Sequence, residues 1–90
     1  MHGSRRVAIV AGLRTPFARA DTVLKDVDGV DLARHVAREL LYRTELEGHL
    51  VDEVIWGQVV PSPLTPNVAR EVSLLPQFPP SVPAYTLNRA

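Results

Sequence analysis

Hydrophobic positions divide the chain into three short apolar runs and two segments with helical spacing. The first run, residues 6–11 (RVAIVA), is rich in β-branched residues and is followed by Gly12 and then Pro16. An uninterrupted run of this kind is typical of a strand covered on both faces, as in parallel or mixed sheets. We therefore predict a first strand at residues 6–11 and a loop over residues 16–26.

The next segment predicts a helix that begins at Asp28 and ends at Gly48. Asp28 can cap the free amides, and Asp31 lies in the first turn, where the helix dipole favours a negative charge. Apolar residues at spacings of three and four fall on one face, which predicts the side that packs on the core: Val30, Ala33, Ala37, Leu40 and Leu41.

Residues 51–60 (VDEVIWGQVV) predict a second strand. Gly57 interrupts this run, and a glycine inside a strand often marks a bulge or a close backbone approach. Pro61, Pro63 and Pro66 then require a loop before the next element.

Thr65 and Pro66 predict the start of a second helix, with threonine as the cap and proline at the first helical position, and the helix runs to Pro76. Residues 84–87 (AYTL) predict a short third strand. The order β-α-β-α-β favours an α/β fold with right-handed crossovers. The chain leaves the third strand without a closing helix or polar tail, so we expect it to be part of a longer domain.

Composition and charge narrow the classes of function. The 90 residues are 46% hydrophobic and 22% charged, as in ordinary globular proteins, and the formal net charge is +0. No field of one sign therefore attracts the chain to nucleic acid or to an anionic membrane. We expect no nucleic-acid partner.

The apolar run near the N-terminus is too short to span a membrane, and no small-residue cleavage site follows it. We interpret it as a buried strand and therefore expect no integral membrane segment and a cytoplasmic location. Residues 1–5 are expected to be disordered or tag-like and to lie outside the fold.

Few side chains in the sequence are candidates for catalysis or metal binding. The chain has no cysteine, which excludes disulfides, thiolate metal sites and a cysteine nucleophile within these residues. Its three histidines are too scattered to indicate a metal site, and His35 with Glu39 one turn later is interpreted as a solvent-facing pair. The remaining nucleophile candidates are serines outside any G-x-S-x-G turn: Ser62, Ser73 and Ser81. Gly12 lacks the further glycines of a nucleotide-binding loop.

Four stretches nevertheless resemble, in order and spacing, the N-terminal part of the thiolases. Residues 7–17 (VAIVAGLRTPF) resemble the first strand and R-T-P turn, and residues 52–59 (DEVIWGQV) resemble the D-E-V-x-x-G-x-V segment. Residues 67–71 (NVARE) resemble the N-x-A-R helix start, and residues 82–90 (VPAYTLNRA) resemble the P-A-x-T-V-N-R-x segment. The forms AGLRTPFAR and GQVV…PNVARE are most similar to the β-subunits of fatty-acid oxidation complexes.

This resemblance implies a thiolase-like layered α/β fold, in which residues 6–90 are an incomplete N-terminal domain. They would form the β-α-β-α-β portion of a mixed five-stranded sheet flanked by helices. The implied activity is that of an acyl-CoA C-acyltransferase, which cleaves 3-ketoacyl-CoA thiolytically to acetyl-CoA and a shortened acyl-CoA, or runs the reverse Claisen condensation. Coenzyme A would be a substrate, with no cofactor and no metal.

In thiolases the nucleophilic cysteine directly follows the last of these stretches. It is therefore expected immediately after Ala90, so that no catalytic residue lies among these residues and the isolated chain is expected to be inactive. By the same resemblance, Asn88 and Arg89 would shape the turn before the nucleophile. Arg14 would fix the turn after the first strand, and Arg70 would form a structural ion pair near the subunit interface.

The implied partners are acyl-CoA, coenzyme A and further copies of the chain in a homodimer or tetramer. Tyr85 lies in the strand that would pair across the dimer twofold axis, and a hydratase/dehydrogenase α-subunit is a further implied partner. Two alternatives stay open: a non-catalytic thiolase-like module for dimerisation or lipid binding, and a condensing enzyme with the same fold.

Overall fold

The computed structural model describes residues 5–89, which form two α-helices, one short 3-10 turn and a two-stranded sheet. In chain order these are α1 (Gly29–Thr44), the 3-10 turn (Gly48–Leu50), β1 (Val54–Gln58), α2 (Val68–Ser73) and β2 (Ala84–Asn88). The two strands are parallel, with Val54 opposite Ala84 and Gln58 opposite Asn88. The α/β class expected from the sequence is confirmed.

The core lies where α2 packs between α1 and one face of the sheet. Val72 on α2 is 1% exposed, and Val54 and Trp56 of β1 pack against the same cluster from the sheet. Burying one such side chain stabilises the fold by about 1.5–3 kcal/mol. The remaining members of the cluster come from both helices and the segment after α2: Val30, Ala33, Val68 and Leu75.

The other face of the sheet is open in the described part of the chain. Ile55, Tyr85 and Leu87 are 51%, 42% and 53% exposed, and they alternate with the inward-facing side chains, as the pleat requires. Parallel sheets are normally covered on both faces. This apolar surface, which we call the open sheet face, is defined by Ile55, Tyr85 and Leu87.

The prediction of a first strand at residues 6–11 is wrong for this structure. No strand is assigned there, and the side chains of Val7 and Ile9 are each 96% exposed. An apolar run indicates a tendency to be buried, but burial on both faces needs a neighbouring strand and a layer on either side. Within residues 5–89 the only sheet is the β1–β2 pair, so this run has no strand partner.

The first helix agrees with its predicted start but ends earlier. Asp28 is the N-cap, yet it receives the amides of Asp31 and Leu32 through its backbone carbonyl at 3.1 Å each, and its side chain makes no cap hydrogen bond. The helix ends at Thr44 and is followed by Glu45 as C-cap, whose φ of 54° is left-handed, so the predicted end at Gly48 is wrong. Gly48 lies in the 3-10 turn instead.

Three further boundaries differ from the sequence predictions. The second strand is five residues long rather than ten, and Gly57 pairs regularly with Leu87, so no bulge is present. Thr65 is not the cap of α2, because Asn67 occupies the N-cap position and the helix begins at Val68. The third strand lies where it was predicted and extends one residue further, to Asn88.

The 3-10 turn is held close to the segment that follows α2. Gly48 is buried, and a Cβ built on it would overlap the carbonyl oxygen of Gln77 and lie 3.1 Å from the Cα of Phe78. Because these neighbours are backbone atoms, they cannot yield by rotating a side chain. Only glycine allows this close approach.

We therefore expect Gly48→Ala to lower the free energy of unfolding of the protein by about 2 kcal/mol, the usual cost of overpacking. Urea unfolding followed by circular dichroism measures the change. Gly29→Ala is the matched control, since a Cβ there meets nothing within 4 Å and lies in the first turn of α1. Equal stabilities for Gly48→Ala and Gly29→Ala would contradict the close approach.

Candidate functional site

Asn88 and Arg89, which the resemblance places in the turn before the nucleophile, lie at one corner of the sheet, at the end of β2. Asn88 is the last residue of β2 and pairs with Gln58 across the sheet. Arg89 continues this contact by donating its backbone amide to the carbonyl of Gln58 at 3.1 Å. Both side chains are exposed. The chain therefore stays attached to β1 through residue 89.

The start of α2 lies directly beneath this corner and is bound to β2 through side chains. The hydroxyl of Thr86 donates to Oδ1 of Asn67 at 2.6 Å and accepts the backbone amide of Ala69 at 3.1 Å. Asn67 Oδ1 also accepts the backbone amide of Arg70 at 3.2 Å. Two of the amides that a helix leaves free at its N-terminus are thus satisfied, one of them by a residue on a strand.

Arg70 joins α2 to the segment that enters β2. Its Nη1 donates to the carbonyl of Val82 at 3.5 Å and to the hydroxyl of Ser73 at 3.4 Å. Ser73 is 1% exposed and donates its own hydroxyl proton to the carbonyl of Arg70 at 2.8 Å, so its polar atom is satisfied. These are hydrogen bonds to neutral oxygens within the chain, and the ion pair that the resemblance implies for Arg70 near a subunit interface stays a prediction.

An ion pair between the two helices involves Arg34. Its guanidinium contacts Glu71 on α2 at 2.9 Å and Asp31 on its own helix at 3.1 Å. The side chains of Arg34 and Glu71 are each 33% exposed, so solvent screens the pair and its contribution to stability is modest. The pair joins α1 to α2 beside the buried side chains of both helices.

Arg14 and Tyr85 take no part in the side-chain hydrogen bonds of this corner in the described part of the chain. Arg14 is bonded through Nη1 to the carbonyl of the next residue, Thr15, at 3.2 Å, and no hydrogen bond within residues 5–89 joins it to Asn88 or Arg89. Tyr85 belongs to the open sheet face, on the side of β2 opposite Thr86.

An apolar groove of about 600 Å³ lies between α1, β1 and residues 8–11. Its walls include Val36 and Leu40 of α1 and Trp56 of β1, and Asn88 and Arg89 are not among them. Over the described residues, no group of three or more His, Asp or Glu side chains is arranged to hold a metal ion. No helix formed by residues 5–89 is both long and apolar enough to cross a membrane.

Two side chains organise the corner, Asn67 and Thr86, and neither was predicted from the sequence as a cap, although residues 67–71 resemble a helix start. One signal for Asn67 was present, since asparagine is among the preferred N-cap residues and precedes a short helical pattern. Thr86 carried no such signal, because its partner lies 19 residues away in the chain. A contact of that kind becomes visible only when α2 is folded back on β2.

Comparisons with known proteins agree on the family. A sequence model of the family described as "Thiolase, N-terminal domain" matches residues 7–90. The chain is 46% identical over 85 residues to a 3-ketoacyl-CoA thiolase of Shewanella sp. (strain ANA-3), a match covering 94% of the chain and 20% of that protein. It is 47% identical over 85 residues to the 3-ketoacyl-CoA thiolase of Aeromonas salmonicida (strain A449), with the same coverage of both chains.

A solved structure is similar as well. The crystal structure of the Bacillus anthracis acetyl-CoA acetyltransferase matches with a TM-score of 0.65 and 41% sequence identity, covering 73% of this chain and 17% of that one. The chain spans about a fifth of the length of the curated relatives it matches.

We predict that Asn67→Ala lowers the free energy of unfolding by about 1 kcal/mol, because it removes the acceptor for both the Arg70 amide and the Thr86 hydroxyl. Asn67→Asp keeps that acceptor and is expected to retain nearly all of the stability. The midpoints of urea unfolding, at constant slope, measure both changes. Asn88→Ala, at an exposed position, is the control, and an Asn67→Ala midpoint no lower than that of the control would argue against the cap.

Proposed function

The chain belongs to the thiolase family, and on that premise we propose that the protein containing it is an acyl-CoA C-acyltransferase. It cleaves a 3-ketoacyl-CoA with coenzyme A to give acetyl-CoA and a shortened acyl-CoA, or runs the reverse Claisen condensation. The observation that supports this most strongly is the family match, which continues without a break to residue 90 and so includes the stretch held at the end of β2. Coenzyme A acts as a substrate in this proposal, and no prosthetic group is needed.

In the proposed mechanism, a cysteine directly after Ala90 is the nucleophile. Its thiolate attacks the 3-keto carbon, the bond between C2 and C3 breaks, and acetyl-CoA leaves once C2 has taken a proton. The acyl group remains on the cysteine as a thioester until the thiol of coenzyme A attacks it and restores the thiolate. A helix N-terminus and a neighbouring histidine would lower the pKa of the thiol, and hydrogen-bond donors would hold the developing oxyanion.

Within this mechanism the chain supplies the scaffold on which the nucleophile is mounted. Asn88 and Arg89 shape the turn that leads from β2 to the cysteine. Arg70 and Arg14 have structural roles, and the contacts of Arg70 with Ser73 and Val82 support this for the first of them. Residues 6–90 are thereby the first part of the proposed N-terminal domain, whereas the expectation for residues 1–5 concerns a segment that lies almost wholly outside the described residues.

Assembly and cellular role follow from the same proposal. The outer edge of β2 and the open sheet face, with Tyr85 on it, are surfaces that a homodimer or tetramer would cover. An unpaired strand edge is a site where a second copy can add its own strand. We further propose a cytoplasmic enzyme of fatty-acid β-oxidation that associates with a hydratase/dehydrogenase α-subunit.

The activity is tested with the protein expressed from the whole reading frame that contains this chain. We expect it to convert 3-ketoacyl-CoA and coenzyme A into acetyl-CoA and a shortened acyl-CoA in equal amounts, measured by chromatography of the thioesters. The matched control replaces the residue that follows Ala90 with alanine and is expected to reduce the rate about 10³-fold or more.

Two other outcomes would contradict the proposal. Binding of acyl-CoA without turnover would identify a non-catalytic module of the same fold. Release of carbon dioxide from a malonyl thioester during carbon–carbon bond formation, without thiolysis, would identify a condensing enzyme.

A further inference from the structure

Thr86 occupies an unusual position for a cap, because it serves the start of a helix from the middle of a neighbouring strand. Its hydroxyl is both a donor and an acceptor: it donates to Oδ1 of Asn67 and accepts a hydrogen bond from the backbone amide of Ala69. It is half-buried and faces α2 rather than the open sheet face. The hydroxyl therefore ties the middle of β2 to the first turn of α2.

The helix that it holds is too short to keep its place alone. α2 has six residues, and isolated helices shorter than about 12–15 residues are marginal in water. Its position depends on the burial of Ala69 and Val72 and on the hydrogen bonds at its first turn. Apolar contacts are non-directional, so the Thr86–Asn67 pair provides the directional constraint at this end of the helix.

These contacts belong to a closed set that we call the strand-end ring, formed by Gln58, Pro66, Asn67, Thr86 and Arg89. Arg89 donates its amide to the carbonyl of Gln58 at 3.1 Å, and the side-chain amide of Gln58 donates to the carbonyl of Pro66 at 3.4 Å. Pro66 is joined by its peptide bond to Asn67, which accepts from Thr86 at 2.6 Å. Two residues of strand, about 7 Å, separate Thr86 from the end of β2.

We propose that Thr86 and Asn67 are positioning residues for acyl transfer: their hydroxyl–amide hydrogen bond holds the end of β2 where the nucleophile beyond it meets the substrate carbonyl. This inference rests on the proposed function. Reacting groups must be aligned closely, and a displacement of about 1 Å at a remote site can cost up to about a hundredfold in rate. Loss of the Thr86 hydroxyl leaves Asn67 Oδ1 without one donor and the Ala69 amide without its acceptor.

The substitution Thr86→Val separates this role from simple packing. Valine keeps the branched shape that suits a strand and replaces the hydroxyl with a methyl group, which can neither donate nor accept a hydrogen bond. Thr86→Ser keeps the hydroxyl and removes a methyl group. Asn67→Gly removes the acceptor from the opposite side of the hydrogen bond, at an N-cap position, where glycine is among the tolerated residues.

Thr44→Val is the matched control. The hydroxyl of Thr44 donates to the carbonyl of Leu40 at 2.8 Å in the last turn of α1, so this change also removes a threonine hydroxyl but leaves the strand-end ring intact.

The experiment measures kcat and KM for thiolysis of 3-ketoacyl-CoA by the whole protein, at a temperature where circular dichroism shows each variant to be folded. We expect Thr86→Val and Asn67→Gly to lower kcat by about ten- to a hundredfold with little change in KM. Thr86→Ser is expected to restore most of kcat, and Thr44→Val to match the unmodified protein. A purely structural role would lower the melting temperature and leave kcat of the folded fraction unchanged.

The outcomes distinguish this inference from the function on which it rests. An unmodified protein without thiolysis refutes both. If the unmodified protein carries out thiolysis and Thr86→Val has a normal kcat, only the positioning role is refuted. If Thr86→Val does not fold, a normal kcat in Asn67→Gly has the same meaning. An equal loss of kcat in Thr86→Val and in Thr86→Ser, which keeps the hydroxyl, would show that the hydroxyl does not set the rate and would likewise overturn the proposal.

Discussion

Parallel strands cannot be joined by a tight turn, and this constraint determines how the described chain is arranged. The link from β1 to β2 must cross back over the sheet, and residues 59–83 make that crossing with α2 at their centre. Once α2 lies on the sheet, its apolar side packs on β1 and on α1, and its first turn meets β2. The hydrogen bond from Thr86 to Asn67 then ties the middle of β2 to the first turn of the helix. The position of Asn88 and Arg89 follows from these contacts.

The sequence predicts the elements that carry their own signal. The spacing of Val30, Ala33 and Ala37 predicts the buried face of α1, and the residues from Ala84 onward predict β2, because neither pattern needs a distant partner. Residues 6–11 show where this reasoning fails. Their pattern expresses only a preference for burial. The described chain forms one sheet, which consists of β1 and β2, and residues 6–11 do not belong to it.

The corner at the end of β2 could be predicted only in part from the sequence, because its contacts join distant parts of the chain. Asn88 and Arg89 were named through the resemblance to thiolases, and their backbone contacts with Gln58 became apparent only from the pairing of the strands. Thr65 looked like the better cap because proline follows it, whereas the structure uses Asn67, whose amide oxygen serves both α2 and β2. A cap shared between two elements cannot be read from one helix pattern.

We propose that this scaffold delivers a nucleophile directly beyond Ala90, and trapping the acyl-enzyme tests that proposal most directly. The whole protein would be mixed with 3-ketoacyl-CoA in the absence of free coenzyme A, quenched in acid, digested and mapped by mass spectrometry. The account predicts an acyl group on the residue that immediately follows Ala90. An acyl group on any other residue, or turnover with no acylated residue at all, would contradict it.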